Sequence, residues 1–97
     1  MIWFVGRHAG AREWARQQGL QWQREAAHLE EVKVSAGDLV YGTLPCSLAA
    51  EVCAAGAEYW HLDLPATLAW RGRELSADDL AAAGARFVRY EVRRVAP

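Results

Sequence analysis

Neither sign of charge prevails in this chain: 11 lysines and arginines stand against 12 aspartates and glutamates, for a formal net charge of −1. No broad basic field therefore exists to hold duplex nucleic acid by counterion release, and any anionic partner has to be held locally. Cysteine is scarce too. The two present, Cys46 and Cys53, fall in an expected helix and stand ~10 Å apart along its axis, which is beyond disulfide reach. There is no CxxC pair and no HExxH signature, and the three histidines are far apart in sequence, so a metal site has no support. Neither a Walker pattern nor GxGxxG is present, which speaks against a nucleotide-cofactor enzyme. No stretch approaches the ~20 apolar residues of a membrane span, and the opening run from Met1 to Arg7 lacks the length and cleavage site of a signal peptide. The expectation is a soluble, cytoplasmic protein with no cofactor and no membrane partner.

What the sequence does have is an apolar majority, 53% over 97 residues with five tryptophans, enough for one compact domain spanning 1–97. Ile2 to Arg7 is a continuous apolar run, the pattern of a strand buried on both faces. Gly10 to Gln18 puts Ala11, Trp14, Ala15 and Gln18 on one helical side, and Gly19 stops it. Leu20 to Leu29 alternates as a second strand, and Leu39-Val40-Tyr41 is a third after the turn Ser35-Ala36-Gly37-Asp38. Gly42-Thr43-Leu44-Pro45 breaks that strand and opens a helix over Cys46 to Ala55, which Gly56 ends. A fourth strand follows from Ala57 to Leu62. Ala66 to Leu75 reads as an irregular loop with Trp70 and Arg71-Gly72-Arg73, its functional reading a mobile cover over a ligand. Ser76-Ala77-Asp78-Asp79 resembles a capping box for a third helix that Gly84 ends, and Arg86 to Val95 is a last strand with one wet face.

The order β-α-β-β-α-β-α-β predicts an α/β fold, a single small Rossmann-like open sheet, mainly parallel, with helices on both faces. In the order 2-1-3-4, with the fifth strand at an edge, a crevice opens beyond the carboxyl ends of the first and third strands. Arg7-His8-Ala9-Gly10 and Gly42-Thr43-Leu44-Pro45 fall there. Two helix N-termini facing one crevice favour a phosphate; Gly10 and Gly42 would permit close backbone approach, Arg7 a bidentate contact and Thr43 a hydroxyl donor. Plainer readings stand beside these. Arg7 would pair with a surface carboxylate, His8 would be a polar helix-start residue without chemistry, and Thr43 would be only a cap. His61 reads as a hydrogen-bonded structural histidine, and His28 is open between structure and chemistry. Cys46 reads as a small core residue, and the tryptophans mainly as core, with Trp14 or Trp70 as candidates to stack on a base.

Several segments in order, namely Phe4 to Ala11, Ala27-His28-Leu29, Gly37 to Pro45, Leu48 to Cys53, His61 to Pro65 and Arg71 to Ser76, together resemble a small CRISPR-associated family found beside type III systems. The chain departs from that family's pattern at Gly6 and Ala9 and around Leu62-Asp63, while Arg7, His8 and Thr43 match it. The resemblance implies a stand-alone ring nuclease that binds and cleaves cyclic oligoadenylate, kinship with the Rossmann-like domains that sense those messengers, and a homodimer. On that reading Arg7 and the backbone near Gly10, Gly42 and Thr43 bind phosphate, His8 is acid or base, and His28 is the reserve for a second proton transfer. The 2′-hydroxyl of the substrate would be the nucleophile, so no metal is required. The rival readings are a binder that sequesters the messenger uncut and a protein-interaction module of a CRISPR system.

Overall fold

The computed structural model describes residues 1–28, 33–64 and 75–96. Five strands and three helices alternate along them: β1 (Ile2–Val5), α1 (Ala9–Gln17), β2 (Arg24–Ala26), β3 (Leu39–Gly42), α2 (Cys46–Ala54), β4 (Glu58–Asp63), α3 (Ala77–Ala83) and β5 (Arg86–Tyr90). The strands form one sheet in the order β2-β1-β3-β4-β5. All neighbouring pairs are parallel except β4 with β5. The small, mainly parallel α/β class expected from the sequence is the one observed.

Strand pleating divides the side chains between two cores. On one face Val5, Val40 and Tyr59 meet Ala49 and Val52 of α2. On the other, Phe4 and Leu62 meet Trp14 and Ala15 of α1 and Ala77 and Leu80 of α3. Helices thus cover both faces, and β1 in the middle is buried on both, with Phe4 at 1% and Val5 at 2% exposure. Trp14, at 3%, is core and has no face to offer a base. Phe87 closes the second core against Trp14 and Tyr41 at ring separations of 5.3 and 5.0 Å.

Two strands are shorter than their sequence patterns. Leu20 and Trp22 turn onto the α1 side, the Trp22 ring lying tilted 4.8 Å from that of Phe4, so the apolar alternation there serves the core and not a ladder. The Ile2 amide donates to the Gln23 side chain, and the ladder begins only at Trp3 opposite Arg24. At the other margin β5 stops at Tyr90, its last pair being with Tyr59, and beyond it the Val92 amide turns to the Cys53 sulfur at 3.4 Å. The loop with Trp70 and Arg71-Gly72-Arg73 lies outside the described residues. No helix among the described residues is long and apolar enough to cross a membrane.

The short path from β2 to β3 ends in a turn organised by Asp38. Its carboxylate accepts from the Ser35 amide at 3.0 Å, the Met1 ammonium at 3.1 Å and the Trp3 indole at 3.3 Å, tying the start of β1 to the entry of β3. These donors, the Ser35 amide first, outweigh burial and hold the carboxyl below its ordinary value of 3.8. A carboxyl with a lowered native pKa contributes stability that is fully present above the unfolded value and is withdrawn as pH falls through the native one. Asp38→Asn is therefore expected to lower Tm at neutral pH, with the gap to the unaltered protein closing below about pH 4; a gap unchanged at pH 2 in thermal melts would contradict this account.

Candidate functional site at the carboxyl ends of the parallel strands

Register places Ala26, Val5, Gly42 and His61 in one row across β2, β1, β3 and β4. Everything after that row in each strand lies at the same end of the sheet. Arg7 and His8 follow β1, Thr43 follows β3, and His28 follows β2. Because α1 carries the chain from β1 toward β2 while α2 carries it from β3 toward β4, the connections diverge between β1 and β3, which is where open α/β sheets bind ligands.

The turn after β1 is pinned at Gly6. Its amide donates to Ala26 at 2.9 Å, and its carbonyl accepts from Arg12, whose guanidinium also lies 3.4 Å from Glu25. Arg7, the next residue, is exposed, and among the described residues no hydrogen bond or ion pair engages it. His8 stands at the N-cap of α1 and makes no side-chain cap bond; Pro45 stands at the N-cap of α2, again without one. Thr43 is accordingly not a cap. Neither helix carries an acidic residue in its own first turn.

The two glycines are occupied by the chain itself. A Cβ on Gly10 would stand 2.0 Å from the Leu75 carbonyl oxygen, and one on Gly42 2.1 Å from that of Val5. Gly10 lets α1 approach the chain entering α3, and Gly42, with a φ of 153°, lets β3 close on β1. Their missing side chains serve packing, which leaves only their backbone groups to a ligand.

His8 and Thr43 do come together. Both line a cleft of about 190 Å³ whose remaining wall is Ala11, Leu62, Leu64, Leu75 and Leu80. His8 and Thr43 are exposed and Leu62 and Leu80 buried, so the polar pair forms the mouth and the leucines the floor. His28 is exposed beyond β2, which puts it two strand spacings, ~10 Å, from β3, and it is not among the lining residues. Cys46 is exposed at the first residue of α2 rather than packed in the core. Among the described residues no three imidazole, thiol or carboxylate groups converge as metal ligands would.

Sequence reasoning missed the residue that shapes the β3 turn. Tyr59, 2% exposed, accepts from the Leu44 amide at 2.8 Å and lies 3.4 Å from the Gly42 carbonyl. Its hydroxyl also bonds His61 Nδ1, and His61 Nε2 faces Asp63 at 4.0 Å, which in turn accepts from the Tyr90 hydroxyl at 2.7 Å. His61 is thus hydrogen-bonded, as expected of a structural histidine, with Tyr59 as its partner in place of a sheet carbonyl. The available signal was the spacing of Tyr59, His61 and Asp63 at every second residue, which puts them on one face.

These features define a small α/β domain with a cleft at the divergence point of its mainly parallel sheet. Residues 3–93 match the model of the family described as "Putative CRISPR-associated protein (Cas_VVA1548)", and the chain belongs to that family. No curated protein and no solved structure matches the chain.

Burial drives the Tyr59 phenol up to about 12, against the opposing pull of the Leu44 amide. An acid raised in this way contributes stability that is present below its ordinary value of 10.0 and lost as pH rises through the native one. Tyr59→Phe should cost about 1–2 kcal/mol at neutral pH by orphaning the Leu44 amide. It should also remove the last phenol to ionise in an alkaline absorbance titration. Unaltered stability in denaturant melts would show that the turn holds without it.

Proposed function

We propose that the protein is a metal-independent ring nuclease that binds cyclic oligoadenylate, cyclic tetra-adenylate foremost, and cleaves it to switch off type III CRISPR signalling. The observation that supports this reading is the meeting of His8 and Thr43 at one cleft mouth where β1 and β3 diverge, with the exposed Arg7 next to His8 in the chain, beside two helix N-termini without side-chain caps. Membership of a CRISPR-associated family agrees with it.

In such a ring each 2′-hydroxyl is next to its own phosphate. The 2′-oxygen attacks phosphorus, the bond to the neighbouring 5′-oxygen breaks, and the products are a 2′,3′-cyclic phosphate and a free 5′-hydroxyl. Arg7 and the amides opening α1 and α2 neutralise the phosphate as charge builds on it. Thr43 orients a non-bridging oxygen. His8 either takes the 2′-hydroxyl proton or supplies one to the leaving oxygen, since imidazole titrates near neutrality. His28 is the reserve for the second transfer. A two-fold homodimer would present the same strand ends twice to an approximately symmetric ring.

Incubation with cyclic tri-, tetra- and hexa-adenylate in excess EDTA, followed by mass analysis, is expected to give linear products with 2′,3′-cyclic phosphate ends. Intact rings that raise Tm would instead make the protein a sponge, and intact rings without a shift would remove the ligand altogether. Within the reading, Arg7→Ala should weaken binding by about 1.5–3 kcal/mol. His8→Ala should spare binding and slow cleavage ~10²- to 10⁴-fold. Equal turnover in the His8 variant would leave catalysis to positioning alone.

A further inference from the structure

We infer that Tyr59 and His61 are positioning residues for Thr43: the Tyr59 hydroxyl clasps the backbone on both sides of it, and the protonation state of His61 decides where that hydroxyl points. As a statement about cleavage this rests on the ring-nuclease reading. The Tyr59 oxygen accepts from the Leu44 amide at 2.8 Å and lies 3.4 Å from the Gly42 carbonyl, so both residues flanking Thr43 meet at one atom. Its third neighbour is His61 Nδ1. A phenol has a single proton to give, and two acceptors stand within its reach.

His61 chooses between them. The neutral imidazole carries one N–H, and the Asp63 carboxylate 4.0 Å from Nε2 favours it there, which leaves Nδ1 to accept the Tyr59 proton. In the imidazolium both nitrogens donate. Nδ1–H then points at the Tyr59 oxygen, and the phenol proton turns to the Gly42 carbonyl. The His61 side chain is 32% exposed, so solvent protons reach it, and Asp63 is held beside it by the Tyr90 hydroxyl at 2.7 Å. Among the described residues the other groups around this cluster are Arg86, opposite Asp63 on β5, and the thiols of Cys46 and Cys53 on α2, which act on Tyr59; β3 sets Gly42 opposite His61. Imidazole changes charge near neutrality, so the Gly42 carbonyl is engaged at low pH and released at high pH.

The test is NMR of the unaltered protein between about pH 5 and 8. The Leu44 amide and the Gly42 carbonyl carbon should shift with the midpoint of the His61 ring protons, the carbon moving downfield as pH falls because its oxygen gains a donor. In Tyr59→Phe the ring should still titrate while both backbone signals stay flat, which separates the hydroxyl from the field of the imidazolium. Should that variant fail to fold, His61→Gln, which offers Tyr59 an acceptor but takes up no proton, should leave both signals flat in its place. Backbone signals that ignore the His61 titration in the unaltered protein, or that still titrate in either variant, overturn the inference. In cleavage of cyclic tetra-adenylate, Tyr59→Phe should lower kcat by up to ~10²-fold with KM little changed. The kcat profile of His61→Gln should lose the ionisation that the Leu44 amide reports. Unchanged kcat in the first, or an unchanged profile in the second, also overturns the positioning role. Rings that the unaltered protein leaves whole sink the ring-nuclease reading alone, because the NMR arm uses no ligand and decides the clasp by itself.

Discussion

The carbonyl oxygen of Val5 lies 2.1 Å from where a side chain at residue 42 would begin, so only glycine lets β1 and β3 close on each other at that level. Their pairing is the centre of the sheet, with β2 outside one and β4 outside the other. The helix after β1 joins the core on one face and the helix after β3 joins the core on the other. A side chain at residue 42 would force the two strand ends apart, and with them the two turns that carry Arg7, His8 and Thr43.

Each of those turns is then fixed by a brace of its own, on opposite sides of the sheet. After β1, Arg12 reaches back from α1 to the Gly6 carbonyl while the Gly6 amide is taken by β2. After β3, the buried Tyr59 hydroxyl takes the Leu44 amide. In both turns it is the backbone that a side chain from a neighbouring element holds.

Local rules in the sequence reached far into this fold. Ser76 and Asp79 do exchange the two bonds of a capping box, and Gly84 does end α3 in the left-handed conformation. Pro45 marks the opening of α2, as its cap rather than inside its first turn. Those features are short-range and so can be read from neighbours in the chain. The errors came where one residue type answers two demands. Gly10 and Gly42 look alike whether a backbone must approach a ligand or another backbone, and here Leu75 and Val5 are what they approach. Leu20 and Trp22 alternate as strand residues do, yet an aromatic contact with Phe4 uses them. Tyr59 was invisible as a support because its partners, Gly42 at the end of β3 and Leu44 in the turn after it, lie on another segment, and no periodicity encodes a bond of that kind.

The placement of charge at the crevice also follows from scarcity. In a chain whose charges nearly cancel, a cation is useful to an anionic ligand only if nothing inside the protein claims it first. Arg12 is shared between Gly6 and Glu25, and Arg89 lies 3.8 Å from Glu58. Arg7 is left outside such pairs among the described residues, held at the tip of a turn whose preceding residue is bonded on both sides. At physiological ionic strength the field of one guanidinium fades over ~8 Å, so it acts on what enters the crevice and hardly on what passes the surface. Two helix N-termini act over a still shorter range, within about one turn of each axis. Charge placed in this way acts only at contact range, so the shape of the crevice and not a long-range field governs what can approach those groups.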